Sequence, residues 1–151
     1  MTDEQAGARI RRFCAYQERS TRELEMKLRE WKVPGHKAGS LIKTLKEEGF
    51  LDDARFVKAF IHGKLTINHW GRRKIVYELR GKGIPEHLIG EGIAEIDEAL
   101  YLEILQNLIA KKSREIKGGK NLTIREKMIN FAAGRGFEYD VILATLEHLK
   151  K

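Results

Sequence analysis

The feature that most constrains this chain is its similarity to itself. Displacing the sequence by 51 residues lays Leu24, Leu28 and Val33 on Ile75, Leu79 and Ile84, and a further 53 lays these on Met128, Ala132 and Phe137. The register runs on without a gap: Ala38, Ile42 and Leu45 fall on Ile89, Ile93 and Ile96, then on Ile142, Leu146 and Leu149. Any two amphipathic helices can be aligned, because apolar residues recur every three or four positions in all of them. Agreement through two helices and the joint between them is a stronger restriction. A unit repeated in this way leaves an apolar face for its neighbour to cover, so the expected product is an elongated, curved stack of small helical units.

Helix boundaries support the same division. Thr2 with Gln5, and Ser20 with Glu23, have the spacing of capping boxes, in which a hydroxyl accepts from a first-turn amide and the third residue reaches back. Pro34 suits a helix start, because its fixed φ is compatible there and its missing amide hydrogen would be unpaired anyway. A fourth helix is expected from about Asp53, a fifth from about Trp70 and a sixth opening at Pro85. A seventh runs from about Asp97 into the Lys117 region, an eighth is capped by Thr123 and Glu126, and a ninth begins near Glu138. With only two prolines and few β-branched runs, the chain reads as all-α: three tandem three-helix repeats over 1–51, 52–96 and 97–151.

The glycines of "GKGIP" (81–85) and "GRGFE" (134–138) occupy equivalent joints in this register. A glycine just past a helix end takes positive φ and lets the last carbonyls find donors, after which Ile84 or Phe137 turns into the core. A phosphate-binding loop would need a longer glycine segment leading from a strand, so capping is the better reading.

The net charge of +7 is unevenly placed. Basic residues outnumber acidic ones six to one over 61–83 and eight to two over 110–135, whereas 84–109 holds six acids and no Lys or Arg. Such banding presents separate faces to a polyanion and to a protein. Arg72, Arg73 and Lys74 open a helix, where cations oppose the dipole; a phosphate, an acidic partner or plain solvation would each account for them. Lys111, Lys112, Arg114, Lys117, Lys120, Arg125, Lys127 and Arg135 form the larger block, expected to meet a polyanion or an acidic protein surface.

Several chemistries find no support. Asp52 and Asp53 before "ARFVKAF" read as a helix cap more simply than as the carboxylates of a nuclease. His36, His62, His69, His87 and His148 include no pair four apart with a third ligand, so no metal or other cofactor is expected. No nucleophile stands with a base and an orienting group, so an enzyme is not expected. Trp31, Trp70 and Tyr77, at helical spacing, are expected in the core or at joints and not as a base-stacking platform. Cys14 is the single cysteine, which precludes an internal disulfide. The N-terminal "MTDEQAGARIRRF" lacks the apolar core of a secretory signal, and no apolar run approaches the roughly 20 residues of a membrane span, so a cytoplasmic protein is expected. The repeat needs no second copy; a monomer suffices.

"STRELEMKL" (20–28), "GFLDDARFVKAF" (49–60), "WGRRKIVYELRGKGI" (70–84) and "RGF" (135–137), in that order and spacing, resemble the RecX family of regulators of the bacterial recombinase RecA. The resemblance covers nearly the whole chain. It departs at Val57, where the family often has alanine, and at Ala132, where a leucine is common. It implies three tandem three-helix repeats without a catalytic centre. It also implies binding to the RecA filament on DNA, mainly inhibitory, limiting filament extension and activity in recombination, DNA repair and the SOS response. DNA alone, single- or double-stranded, is the weaker, non-specific partner. The alternative expectation is a helix-turn-helix-type module that binds duplex DNA without RecA, because the short helices around "RGKGIP" loosely resemble that motif.

Overall fold

Residues 1–117 and 122–150 are described by the computed structural model, and among them the chain forms nine α-helices and no strand. These are α1 (Asp3–Tyr16), α2 (Thr21–Glu30), α3 (Gly35–Glu47), α4 (Asp53–Thr66), α5 (Arg72–Gly81), α6 (Glu86–Ala94), α7 (Glu98–Ser113), α8 (Ile124–Gly134) and α9 (Tyr139–Lys150). Thr2 and Ser20 both make reciprocal capping boxes, and Thr123 Oγ1 accepts from the Glu126 amide at 3.1 Å. Helix α7 stops before the Lys117 region, because the amides of Arg114, Glu115 and Ile116 turn back onto the carbonyls of Lys111 and Lys112.

The paired aspartates divide their work. Asp52 Oδ1 accepts from the Arg55 amide at 3.1 Å and caps α4. Asp53 does not cap its own helix; its two oxygens accept from the backbone N–H and the hydroxyl of Thr21, at 2.8 and 2.7 Å. Its negative charge thus lies against the first turn of α2, where the helix dipole favours it.

The repeat is visible in the backbone at its joints. Lys32, Gly83 and Gly136 occupy equivalent positions in the register, and their φ values are +62°, +75° and +97°. At each joint the following residue donates across the turn, Val33 to Leu28, Ile84 to Leu79 and Phe137 to Ala132, over 2.9–3.2 Å. The left-handed residue itself donates to Arg29, Arg80 or Ala133. This is the Schellman closure three times over. It also exposes a blemish in the first copy, where a lysine holds a conformation that glycine adopts without a Cβ clash. Lys32→Gly is expected to stabilise the protein by about 0.5–1 kcal/mol, the relief of left-handed strain less the extra freedom of glycine in the unfolded chain. A rise in the urea midpoint at constant slope would register it.

The chain divides into two compact units, residues 1–59 with 79–89, and residues 60–78 with 90–151. In the first, Ile10, Cys14, Leu24, Leu28, Ile42, Leu45 and Leu51 form one buried cluster, with Phe13, Trp31 and Val33 packed at its margin. Cys14 is a core residue there, and burial pushes its thiol upward. In the second, α7 packs on α8 and α9, and Tyr101, Leu105, Ile109, Phe137 and Ile142 are fully or almost fully buried. Leu28, Leu79 and Ala132, equivalent in the register, are each inaccessible to solvent. At the third joint Phe137 stands where the earlier copies carry Val33 and Ile84, and it is buried with its ring centre 5.2 Å from that of Tyr101. Burial along the register is incomplete at several positions: Val33, Ala38, Met128, Ile93 and Ile96 are half-buried, and Leu149 is 44% exposed.

Candidate binding surface

Helix α5 begins at Arg72 and has no capping side chain of its own, so its free amides must find acceptors elsewhere. They find them within the same unit, on α7 and in the turn after α8. The Gly71 amide donates to the Arg135 carbonyl at 2.8 Å, the Arg73 amide to the Gly136 carbonyl at 2.9 Å, and the Arg72 amide to the Tyr101 hydroxyl at 3.0 Å. Tyr101 then donates its proton to Glu138. The Arg72 guanidinium lies 3.8 Å from the centre of the Tyr101 ring, donates to Glu138 Oε2 at 2.7 Å and also donates to Glu98.

Arg72 therefore differs from what its position in a basic run suggested. Its side chain is 19% exposed and shared between two carboxylates, so it is an internal tie and not a free cation for a polyanion. The two acids also explain how a cation is tolerated at a helix N-terminus, since they neutralise the charge that opposes the dipole. Arg73, by contrast, is exposed, and Lys74 Nζ lies 4.5 Å from the Trp70 ring centre. Tyr77 departs from the core or joint position expected for it. It is 74% exposed on α5, between the buried Ile75 and Leu79.

The tie titrates at both ends. Burial alone would raise the Glu138 carboxyl, but hydrogen bonds from Tyr101 and Arg72 outweigh it and hold the pKa below the ordinary value. The stability this contributes is complete above the unfolded pKa of about 4.3 and is lost as pH falls through the folded one. Tyr101 moves the other way: burial first, then its bond to Glu138, pushes the phenol well above its usual value. That contribution is complete below about pH 10 and is lost as pH rises towards the folded pKa. Thermal midpoints are expected to hold a plateau between about pH 5 and 9, and Tyr101→Phe to flatten the alkaline fall. An unchanged alkaline limb in that variant would exclude Tyr101 as its source.

The larger basic block is spread over several local environments. Lys111, Lys112 and Arg135 converge with Phe131 on a cavity of about 340 Å³, which His69, Asn107 and Glu115 also line. Lys112 Nζ and the Arg135 guanidinium lie 4.8 and 5.3 Å from the Phe131 ring centre. Arg135 is held in place by donation to the Asn68 carbonyl at 2.9 Å. Arg125 lies elsewhere, on an apolar groove with Ile109, Met128, Leu146 and Leu149, 3.9 Å from Glu147. Lys127 Nζ donates to the Lys117 carbonyl at 2.6 Å, and Arg114 is the exposed C-cap of α7. Lys120 lies outside the described residues. The cavity joins segments around 69, 104–115 and 131–135, so no local pattern marks His69, Asn107 and Phe131 as its lining, although Asn107 stands one helical turn from Lys111 and Phe131 one turn from Arg135.

Among the described residues no three His, Cys, Asp or Glu side chains lie together as a metal site requires, and no helix is long and apolar enough to cross a membrane. The observed class is thus an all-helical repeat protein presenting charged surface and a basic, aromatic-walled cavity. Residues 52–93 match the second three-helix domain of RecX and residues 99–146 the third. The chain belongs to the RecX family. It is 28% identical over 152 residues to Regulatory protein RecX of Prosthecochloris aestuarii, covering 99% of this chain and 98% of the relative. To Regulatory protein RecX of Bacillus cytotoxicus it is 27% identical over 139 residues, covering 92% of this chain but 52% of the relative, so it spans about half that protein's length. The crystal structure of RecX from Lactobacillus salivarius shares the fold with a TM-score of 0.88 at 19% identity, over 98% of this chain and 96% of that one.

Proposed function

We propose that the chain regulates RecA, mainly as an inhibitor, by binding the RecA–DNA filament and limiting its extension and activity. Its family membership carries this reading: two matched RecX domains span both basic bands. In this proposal the protein is a cytoplasmic monomer and not an enzyme, built as repeats over 1–51, 52–96 and 97–151. Arg73 and Lys74 on α5, together with Lys111, Lys112, Arg114, Lys117, Lys120, Arg125, Lys127 and Arg135, face the filament's acidic protein surfaces or its DNA. Arg72 contributes indirectly, by holding the start of α5.

Binding can inhibit only if one filament state is bound more tightly than another. A helical protein bridging neighbouring protomers does so when it fits the spacing of one state and not of the other. The test is RecA hydrolysis of ATP on single-stranded DNA, together with co-sedimentation on preformed filaments across a salt series. Inhibition at stoichiometric protein is expected. If phosphates are contacted, the logarithm of affinity should fall by about 0.7 to 0.9 per contact for each tenfold rise in salt. Absence of both inhibition and co-sedimentation would remove the proposal. Base-selective binding to naked duplex would favour a helix-turn-helix-type module instead.

A further inference from the structure

We propose that the cavity between α7 and α8 seats one nucleotide of single-stranded DNA, its phosphate on Lys111 and Arg135 and its base against Phe131. This rests on the reading above only in supposing that the chain meets DNA.

Each cation at the cavity has a local reason to be where it is. Lys111 and Lys112 lie in the last turn of α7 and Arg135 caps α8, positions where the helix dipole favours positive charge. Helix capping does not explain why the ends of two helices bring three cations to one cavity, two of them over its aromatic ring. Among the described residues Glu115 is the only carboxylate lining the cavity, against three cations. Its link to Lys112 is a loose 3.7 Å pair with the carboxylate side 56% exposed, which an incoming phosphate can displace. Lys111 is exposed and makes no ion pair with a described residue.

The remaining lining suits a base better than a bare anion. Ile104 and Leu108, both half-buried, supply apolar wall beside Phe131, while Asn107 offers two donors and an acceptor to a base edge. A volume of about 340 Å³ lies at the small end of ligand pockets, matching a single nucleotide and not a folded duplex. Stacked bases within a duplex cannot enter, so the site selects unpaired strand. His69, beside it, holds φ +56°, a conformation uncommon outside glycine, and closes one wall with an imidazole.

The experiment uses the full chain, without RecA, and fluorescently labelled oligothymidylate of about 16 nucleotides, against an abasic strand of equal length and charge and a duplex of equal length. Tighter binding to the oligothymidylate than to the abasic strand is expected by about fivefold or more, because stacking is lost when the base is removed. The duplex should bind more weakly than the single strand. Lys111→Gln should weaken oligothymidylate binding about fivefold at low salt, and Lys43→Gln, an equal charge change in the first unit, by less than about twofold. Equal binding of abasic and normal strands, or equal losses in the two variants, would overturn the assignment, leaving only diffuse surface charge. Displacement of the oligonucleotide by micromolar ATP would also overturn it, identifying a free nucleotide as the ligand. Because no recombinase is present, each of these failures leaves the filament proposal standing, and a failure of filament binding leaves this one to be decided separately.

Discussion

Gly136→Ala is expected to cost about 4 kcal/mol or more, a large share of the roughly 5–15 kcal/mol that stabilises a domain. Two costs coincide at this residue. Its φ is +97°, a region that residues bearing a Cβ rarely adopt, and strain of that kind is worth about 1–3 kcal/mol. A Cβ there would lie 2.4 Å from Lys74 Cβ and 2.5 Å from the Lys74 amide nitrogen, neither of which can swing aside as a side-chain tip can. The backbone contact exists because the amides opening α5 borrow carbonyls from the turn after α8. Gly71, facing it, is as tightly placed, with its would-be Cβ 2.3 Å from the Phe137 amide nitrogen. The equivalent Gly83 provides the control. It has φ +75°, but its nearest neighbour is the movable Arg22 guanidinium at 3.0 Å, so Gly83→Ala should cost only about 1–2 kcal/mol. Urea denaturation followed by helical circular dichroism compares the two; equal losses would mean that close backbone approach contributes nothing beyond φ.

Arg72→Ala is the second large effect, with an expected loss of about 2–3 kcal/mol. Removing a partner from a fully buried ion pair costs about 3–5 kcal/mol, and the figure is lower here because the Arg72 and Glu138 side chains are 19% and 26% exposed. The substitution leaves Tyr101 as the side-chain donor to Glu138 and strips the cation from the Tyr101 ring. Arg72→Lys should recover little, since an ammonium lacks the planar fork that reaches Glu98 and Glu138 together. A double-mutant cycle with Glu138→Gln should give a coupling of about 1–2 kcal/mol. Arg80 with Glu86, 2.6 Å apart but 61% and 66% exposed, forms a deliberate contrast. Arg80→Ala should leave the urea midpoint essentially where it is, because solvent screens the pair. Additive losses at positions 72 and 138 would dissolve the idea of a tie.

The two effects share a location, which shows how far the chain's local pattern reaches. Ser20 and Glu23 announce the start of α2, and their side chains make the bonds their spacing implies. At α5 the same inspection finds Trp70, Gly71 and Arg72, none of them a cap, because the acceptors are supplied by Tyr101, Arg135 and Gly136. A basic triplet read as one surface likewise separates into an internal tie at Arg72 and an exposed side chain at Arg73. Tyr77 is on the surface because Ile75 and Leu79, two positions to either side, are buried, so that helical phase and not aromatic character decides its place. Asp53 shows the same limit: it stands in the first turn of α4, as its place before "ARFVKAF" implies, but its bonds to Thr21 on another helix have no mark in the local pattern.

What the sequence determined by itself is the helical content, the positions of the joints and the inward phase of each repeat. These depend on interactions within a few residues: capping hydroxyls, left-handed turns and apolar spacing at three and four. Only tertiary structure decided which cations remain free, where Lys111 and Arg135 meet Phe131, and why Gly71 and Gly136 must be glycine. Those outcomes depend on distances between segments far apart in the chain, and a charge or an aromatic ring acquires its role from whatever packing places within a few ångströms of it.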